Sequence, residues 1–422
     1  MATRDTTSVL TEHLDRPRPP SLWRNRDFLL LWLGQALSSV GTEVSSLALP
    51  LLILALTHSP ARAGVVAALG ALPSIALGLV AGAWVDRVDR KRLMIVCDIV
   101  RALNLAALPV ALAFGRLSFA QLCLFALVDG ACSTFFRLAN IVSLQRVVLR
   151  EQIPAAVGRR ETTEGIVTLL GPSLGGALFT VGRALPFVAD AISYSASLLS
   201  LGLIRTSFQG ERATARGRLR DEIGEGLRWL WRHRLVRFMA LVYGGFGLLF
   251  PCAPLCVIVL AQQRGASPLI IGVIFAMGGI GGVLGALAGP WVQRRVRFGK
   301  LIPLLHWGYA LLWPLEVFMP TPLLMGVIEA LFLANDQVYD VTWPSYRLAL
   351  IPDELQGRVT GASRLFSAIA QPIGLACAGM LIERIGAAQT MLVFGALLAL
   401  LALIVTLNPT VRHAPPIEEV SA

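Results

Sequence analysis

The sequence has few charged residues and almost no lysine. Only 15% of its 422 residues are charged, 55% are hydrophobic, and the mean hydropathy is +0.68. This composition excludes an ordinary soluble protein and predicts a membrane protein that crosses the bilayer several times. Neither of the two lysines, Lys91 and Lys300, follows the Gly-x-x-x-x-Gly pattern of a phosphate-binding loop. The chain is therefore not expected to bind ATP and act as an ATP-driven pump.

Histidine and cysteine are also scarce. Of five histidines only His306 falls within a predicted span, which leaves no histidine cluster for a metal and no base for a serine nucleophile. The six cysteines lie in apolar segments without metal-ligand spacing, so we expect them to pack rather than to form disulfides. We therefore predict no metal site, no cofactor and no enzymatic activity.

The positive charge is distributed as a membrane topology requires. The formal net charge is +11, which by itself would suggest a nucleic-acid partner. The basic residues, however, gather in the termini and in alternate loops, and this asymmetry is typical of cytoplasmic segments. The pattern predicts that both termini are cytoplasmic and that no nucleic acid is bound. The first apolar run, of about 29 residues, is long enough for a span, so no removable signal peptide is expected.

Long apolar runs account for most of the chain. Twelve of them are predicted to cross the bilayer as helices. In order, the predicted spans are 28–56, 62–85, 93–114, 118–138, 163–182, 186–204, 236–261, 268–291, 301–319, 322–342, 361–382 and 387–407. The predicted fold class is an all-α membrane protein.

Two phrases recur in the second half of the chain. Residues 78–87 (GLVAGAWVDR) and 285–294 (GALAGPWVQR) share six of ten positions. Residues 351–358 (IPDELQGR) repeat 153–159 (IPAAVGR) with one residue inserted. The repeats predict two pseudo-symmetric six-helix bundles, an arrangement in which secondary transporters bind substrate between the halves.

The repeats and the charge pattern together predict five segments. They are a disordered cytoplasmic tail (1–26), a first bundle (27–204), a cytoplasmic linker (205–235), a second bundle (236–407) and a second cytoplasmic tail (408–422). Within the linker, Leu227, Leu230 and Trp231 alternate at helical spacing with arginines. This pattern predicts an amphipathic helix that lies on the anionic inner leaflet.

A burst of six charges, from Asp86 to Arg92, separates the second and third predicted spans. It resembles the G-x-L-x-D-R-x-G-R-K/R loop signature of the major facilitator superfamily. The matching residues are Gly82, Asp86, Arg87, Arg90 and Lys91, whereas Trp84 and Asp89 depart from the signature. The resemblance implies the twelve-helix fold of that family and a latch that joins the two halves on the cytoplasmic face when the transporter opens outward.

The charged phrase and residues 351–359 look like a bacterial subgroup of that family, the twelve-span drug/proton antiporters, which includes macrolide-efflux proteins and a siderophore exporter. In the second of these loops Gly357 and Arg358 carry the resemblance. The family's arginine within span four is missing here, because that span carries Asp129 and has Arg137 only at its cytoplasmic end. This departure leaves open any coupling scheme that needs that arginine.

A second motif of the resemblance lies in span five. Residues 171–176 (GPSLGG) are similar to the exporter signature GPxxGG. The motif residues are Gly171, Pro172, Gly175 and Gly176. Physically, the proline bends the helix and the glycines permit close packing. In the family this span is thought to seal the substrate site against leak, and a packing kink without influence on transport direction is the alternative.

Ionisable residues inside the predicted spans are the candidates for chemistry. A charge at mid-bilayer costs at least about 2.5 to 3.5 kcal/mol, so each must face a cavity, find a partner or bind a proton. The substrate or proton candidates are Glu43, Asp129, Glu329 and Asp336, with Glu316 as a further acidic residue. Asp98 and Arg101 are one turn apart and are predicted to form a structural i, i+3 pair beside the charged loop.

The resemblance implies efflux of hydrophobic or amphipathic small molecules in exchange for protons, from the inner membrane of a bacterium. We expect the substrate to bind between spans 1, 4, 7 and 10, where Tyr243, Phe246, Phe250 and Trp343 offer apolar surface. Expected partners are the small molecule, protons and membrane lipids, and the chain is expected to be a monomer. Two alternatives stay open: a dedicated exporter of a siderophore or secondary metabolite, and a membrane sensor that does not transport.

Overall fold

The computed structural model describes residues 21–85, 87–209, 219–352, 355–412 and 414. The predicted tails therefore lie largely outside the described residues, since 1–20, 413 and 415–422 are not among them. The same holds for Asp86 of the predicted latch and for residues 210–218 of the predicted linker.

The described chain is helical almost throughout, with twelve long helices, which confirms the predicted fold class. Their bounds are α1 Arg26–Thr57, α2 Pro60–Val85, α3 Arg90–Ala113, α4 Phe119–Val147, α5 Ile153–Val181, α6 Leu185–Leu203, α7 Arg234–Gln263, α8 Pro268–Arg295, α9 Phe298–Leu315, α10 Pro322–Leu350, α11 Gln356–Ile385 and α12 Ala387–Leu407. A linker helix, Leu219–Arg232, precedes α7, and a 3-10 turn, Glu316–Phe318, follows α9.

Eleven of these helices, within the described ranges, are long and apolar enough to cross a membrane. The remaining one, α10, carries Glu329, Asn335, Asp336 and Asp340, whose polar side chains lower its hydropathy. Helix α10 packs along α8 and α9, so it lies within the bundle together with the apolar helices. The described part of the chain is thus a multi-pass membrane protein.

Local sequence sets where the helices begin. Asp89, which departs from the loop signature, is the N-cap of α3 and accepts a hydrogen bond from the backbone N–H of Arg92 at 3.1 Å. Ser118 caps α4 in the same way and forms a capping box with Gln121. The other departure, Trp84, packs edge-on against Phe135 of α4. Both departures therefore have structural reasons.

A proline interrupts α7 near its middle. Pro251 removes a backbone donor, and residues Phe250–Cys252 form a 3-10 turn between the two parts of the helix, Arg234–Leu249 and Ala253–Gln263. The sequence alone predicted a continuous span here. The second part of α7, after the turn, is buried on most of its surface.

The helix contacts repeat between the two halves, as the internal repeats predicted. In the first half α1 packs on α5 and α6, and α2 packs on α4. In the second half α7 packs on α11, and α8 packs on α10. The halves meet along two further pairs, α5 with α8 and α2 with α11. These two inter-half pairs are equivalent under the same pseudo-symmetry.

The pair α2 and α11 is close at one end and open at the other. Gly64 and Gly379 face each other near the start of α2, where an added Cβ at Gly64 would lie 2.9 Å from the Cα of Gly379. At the other end an added Cβ at Gly82 of α2 or Gly361 of α11 would meet no atom within 4 Å. The halves therefore converge on the predicted external side and diverge on the predicted cytoplasmic side.

The linker helix packs against the second half. Leu230 is fully buried in a small core with Val236 and Val359, and Gly226 contacts the backbone of Arg358. Leu227 and Trp231 remain exposed. The residues of the predicted apolar face therefore have two different environments. Leu230 packs against protein, whereas Leu227 and Trp231 are free to contact lipid.

Candidate transport site

A polar cavity opens between helices of the first half. It has a volume of about 290 Å³. Most of its wall comes from α1, α4 and α5, and Arg101 reaches it from α3. The cavity is lined by Trp32, Gln35, Thr42, Glu43, Arg101, Arg137, Asn140, Arg160 and Glu164, among others. It lies toward the predicted cytoplasmic side, where the two halves diverge.

Glu43 forms part of this wall at the middle of α1. Its neighbour Ser46 donates a hydrogen bond to the Glu43 carbonyl at 2.8 Å and lies 3.4 Å from the carboxylate Oε2. No salt bridge to Glu43 is present among the described residues. Of the predicted acidic candidates, Glu43 is thus the one that meets the cavity without a cationic partner.

The span-five motif packs directly behind Glu43. An added Cβ at Gly171 would lie 2.4 Å from the Cβ of Glu43. One turn later, an added Cβ at Gly175 would lie 2.7 Å from the carbonyl oxygen of Val44. Two small residues of α5 therefore let α1 approach closely at the position of the acid.

The rest of the motif faces the other half of the molecule. An added Cβ at Gly176 would lie 2.2 Å from the carbonyl oxygen of Pro268 in α8. The Pro172 carbonyl oxygen lies 2.6 Å from where a Cβ would stand at Gly272, also in α8. The motif in α5 thus contacts α1 at Glu43 on one side and α8 of the other half on the other side.

Arg101 pairs with Asp129 rather than with Asp98. Its Nε lies 2.8 Å from Oδ1 of Asp129 on α4, and its guanidinium stands over the ring of Tyr194 at 4.5 Å. Asp98 instead accepts a hydrogen bond from the Ser197 hydroxyl at 2.7 Å. The predicted i, i+3 pair was wrong because α6 and α4 supply better-placed partners across the helix interfaces.

This arrangement brings a cation to span four from a neighbouring helix. In the sequence no arginine lies within span four, so sequence position alone gives Asp129 no cationic partner. In the folded chain the Arg101 side chain is only 9% exposed and crosses from α3 to α4. A buried guanidinium therefore does lie beside α4, although its residue belongs to α3.

Sequence reasoning missed Asp190, which lies in α6 and is 2% exposed. It accepts a hydrogen bond from the Ser193 hydroxyl at 3.1 Å and lies against Gly41 of α1. The signal was present in the sequence: Asp190, Ser193, Ser197 and Ser200 follow one face of α6 at helical spacing. All four are buried, so this polar face points into the first bundle.

The candidates of the second half lie apart from this cavity. Asp336 on α10 accepts a hydrogen bond from the Tyr309 hydroxyl of α9 at 2.6 Å. Glu329 is 5% exposed and packs where Gly278 of α8 leaves room. Neither contributes to the wall of the polar cavity. The structure therefore separates the four acidic candidates into two groups, one in each half.

The aromatic residues expected to offer substrate-binding surface are mostly core residues. Trp343 is 2% and Phe246 6% exposed. Both belong to a cluster of stacked rings, in which Phe246 contacts Tyr339 and Tyr339 contacts Trp343. Only Tyr243 and Phe250 of the expected set are half-buried. The prediction was wrong for Trp343 and Phe246, because ring packing between α7, α9 and α10 buries them.

The described residues of the latch motif contact their own half of the molecule. Arg90 donates to the carbonyl of Phe208 at 3.0 Å, and Lys91 donates to the carbonyl of Ile204 at 2.7 Å. Arg87 is exposed.

The corresponding loop of the second half contacts the linker helix. Arg358 forms a salt bridge with Glu225 of that helix, and an added Cβ at Gly357 would meet no atom within 4 Å. The halves are open at this side, so a bridging role of the motif stays a prediction.

The opposite side is held closed by a contact across the halves. The carboxylate of Glu383, on α11, accepts hydrogen bonds from the Ser59 hydroxyl and from the backbone N–H of Ala61 at 3.1 Å. Ala61 lies in the first turn of α2, where free N–H groups and the helix dipole favour an anion. Glu383 thus caps a helix of the other half and joins the two halves on the predicted external side.

In the part of the chain that the structure describes, no group of three or more His, Cys, Asp or Glu side chains is arranged to hold a metal ion. The site offers one unpaired carboxylate, an arginine–aspartate pair and hydrogen-bonding side chains. These groups suit the recognition of a small molecule and the exchange of protons.

The comparison with known protein families agrees with this geometry. Residues 31–374 match the family described as Major Facilitator Superfamily. The chain belongs to the major facilitator superfamily. As a member of this superfamily it is a transporter of small molecules and not an enzyme.

Several relatives in the superfamily are named as efflux proteins. The multidrug efflux pump Tap of Mycolicibacterium fortuitum is 29% identical over 91% of this chain and 96% of its own. Tap of Mycobacterium tuberculosis (strain ATCC 25618 / H37Rv) is 26% identical over 92% and 95%. Macrolide efflux protein A of Streptococcus pyogenes is 22% identical over 91% and 96%.

Solved structures share the superfamily fold at low sequence identity. A bacterial homologue of the human lysosomal transporter Spinster superposes with a TM-score of 0.73 at 15% identity, covering 92% of this chain and 97% of that one. The nucleoside transporter NupG superposes with a TM-score of 0.73 at 14% identity, covering 90% and 98%. Both establish the fold of this chain.

Proposed function

We propose that this transporter exports hydrophobic or amphipathic small molecules in exchange for protons, by alternating access. The observation that carries the proposal is Glu43, an unpaired carboxylate at the wall of a cavity that lies toward the predicted cytoplasmic side. A molecule can enter there from the cytoplasm while the contact between Glu383 and α2 keeps the external side closed. The export function of the named relatives supports the same direction.

In this proposal Glu43 exchanges substrate for a proton. The carboxylate attracts a cationic or hydrogen-bonding group of the substrate, and protonation of the carboxylate releases it. The close packing at Gly171 fixes the position of Glu43 relative to α5. Since α5 also contacts α8, rocking of the halves about this contact changes the surroundings of the acid.

The cavity in the first half is polar, and its volume of about 290 Å³ is small for a drug-like molecule. Gln35, Asn140 and Arg137 offer hydrogen bonds and one positive charge near Glu43. We infer that this cavity holds the polar part of the substrate. The apolar part then lies toward Tyr243 and Phe250, the half-buried aromatic residues of the second half.

The orientation, lipid contacts and oligomeric state belong to the same proposal. We infer that both termini are cytoplasmic, because the connections at that side of the helices are rich in arginine. Leu227 and Trp231 of the linker helix are exposed and would contact lipids of the inner leaflet. The two bundles complete the cavity and the external closure within one chain, so we propose that the monomer is the transporting unit.

The decisive experiment uses inside-out membrane vesicles with an imposed proton gradient. Ethidium and a macrolide serve as amphipathic probes, and dissipation of the gradient on their addition is recorded for the wild type and for Glu43→Gln. We expect dissipation by at least one probe and its loss in the variant. A wild type that inserts normally but responds to neither probe, nor to a broader panel of drugs, would contradict drug efflux and favour a dedicated endogenous product or a sensor.

A further inference from the structure

Two carboxyl groups are buried together in the second half, away from the polar cavity. Glu316 lies in the 3-10 turn after α9 and is 2% exposed, and Glu329 lies on α10 and is 5% exposed. The 3-10 turn contacts α10, and the two carboxyl groups interact electrostatically across this contact. The Oε2 atom of Glu316 is buried and has no hydrogen-bond partner. A charged carboxylate oxygen that is buried without a hydrogen-bond donor is costly, and a bound proton removes that charge.

One arginine lies beside the pair, and its guanidinium is bound to the backbone of the Glu316 turn. Arg264, in the connection between α7 and α8, donates through its guanidinium to the backbone carbonyls of Glu316 (3.0 Å) and Val317. Among the described residues neither glutamate takes part in a salt bridge. Helix α7 contributes the Cys256 thiol near Glu316, and α8 contributes the uncharged Gly278 beside Glu329.

Two negative charges cannot be buried side by side under these conditions. Transfer of even one unpaired charge into the membrane interior is costly, and two neighbouring carboxylates repel each other as well. The arrangement is stable when at least one proton is bound between the two groups. The pair is therefore a proton-binding site by its geometry, in the half that does not contain Glu43.

Further acidic residues of α10 follow the pair toward the opposite side of the membrane. Glu329, Asp336 and Asp340 follow at i, i+7 and i+11, which places them on one face of the helix at intervals of about 10 and 6 Å along its axis. Asp336 is hydrogen-bonded to Tyr309, and Asp340 is exposed. The acidic face runs from the predicted external turn at Glu316 toward the predicted cytoplasmic opening.

We propose that Glu316 and Glu329 form a second proton site of the transporter, which takes a proton from the external side and passes it along Asp336 and Asp340 to the cytoplasm. The inference rests on the proposed proton-coupled function, to which it adds a proton route through the second half. Substrate then leaves past Glu43 in the first half while the proton crosses in the second. Arg264 covers the external end, where its two hydrogen bonds hold the Glu316 turn in place.

The binding of a proton can be tested without transport. Infrared spectra of the purified full chain in lipid nanodiscs report protonated carboxyl groups through their C=O stretching band. We expect a band from the pair at neutral pH, shifted in frequency in Glu316→Gln and in Glu329→Gln, and absent in the double variant. Glu383→Gln, which changes an exposed acid, is the control that should leave the band unchanged. A double variant with the band of the wild type would overturn the proposal.

The role in coupling is tested in the vesicle assay with ethidium as the probe. We expect the double variant to bind ethidium as the wild type does. Its proton-driven flux should be at least tenfold lower than that of the wild type. Proton-driven flux at the wild-type level in the double variant would overturn the second site and leave the proposed function intact. A wild type without proton-driven flux, but with a carboxyl band that disappears in the double variant, would instead refute the proposed coupling and retain the proton site.

Discussion

At the scale of single residues, the position of Glu43 depends on the absence of a side chain opposite it. Gly171 has no Cβ, and this lets α1 come within contact distance of α5 at the level of the acid. The cavity acid Glu43 and the span-five motif are therefore linked by direct packing. The sequence suggested two alternative roles for the motif, sealing of the substrate site or packing alone. In the structure the contact between Gly171 and Glu43 packs α1 on α5 and also places the cavity acid.

Gly171→Ala should damage transport by displacing Glu43. The new methyl group would lie 2.4 Å from the Cβ of Glu43, an atom close to the backbone that cannot rotate away. Overpacking of this kind costs about 1 to 3 kcal/mol, which exceeds the roughly 0.5 to 1 kcal/mol that alanine gains over glycine in a helix. We expect a lower melting temperature in detergent and reduced flux.

The matched control is Gly165→Ala in the same helix. An added Cβ there would meet no atom within 4 Å, so the substitution should be neutral or slightly stabilising. Equal effects of both variants on melting temperature and flux would indicate that flexibility of α5, and not contact with Glu43, explains the glycine.

At the scale of helices, the sequence predicted the elements better than their partners. The apolar runs and the charge clusters located the twelve long helices, because each helix carries its own hydrophobic signal. The break at Pro251 was missed, since a proline within an apolar run is compatible with a kink or with a 3-10 turn. The partner of Arg101 was also missed, because the choice between Asp98 and Asp129 depends on how α3 lies against α4.

The Arg101–Asp129 pair should contribute to the packing of α3 on α4. Loss of one partner leaves the other charge without compensation, so Arg101→Gln and Asp129→Asn should each destabilise the protein. The Asp129 side chain is 32% exposed, so solvent screens part of the interaction and we expect about 1 to 2 kcal/mol for each variant. The double variant should lose less than the sum of the two.

A thermodynamic cycle of these three variants, measured by denaturation in detergent, gives the coupling energy. The Arg160–Glu164 pair at the cavity mouth, with side chains 31% and 44% exposed, provides a second cycle within one helix. We expect a coupling near zero there, because exposed pairs contribute about 0 to 1 kcal/mol. Additive losses at Arg101 and Asp129 would show that the two residues act independently.

At the scale of the whole molecule, the two halves touch at one end and separate at the other. The external end combines close glycine contacts between α2 and α11 with the polar contact of Glu383. On the other side Arg90 and Lys91 of the predicted latch donate hydrogen bonds to the segment that follows α6, in the first half. Under the predicted orientation, the molecule is in the state that receives substrate from the cytoplasm, and opening outward requires the Glu383 contact to break.

Glu383→Gln should therefore shift the molecule toward the outward-open state. The amide keeps the shape of the carboxylate but lacks the charge that the first turn of α2 attracts, and it weakens the hydrogen bonds to Ser59 and Ala61. Spin labels on cysteines at Arg116 and Arg384, both exposed on the predicted external side, report the separation of the halves. We expect a larger fraction of long distances in the variant than in the parent protein.

The labelled protein needs a background in which the exposed Cys377 and the half-buried Cys123 and Cys132 are replaced by serine, so that the label reacts at the two introduced sites. Ser59→Ala is the companion variant, because it removes one of the two donors to Glu383 and leaves the carboxylate and the Ala61 N–H in place. Its shift should be in the same direction and smaller. Unchanged distance distributions in both variants would mean that the glycine contacts between α2 and α11 hold the external side closed without help from the carboxylate.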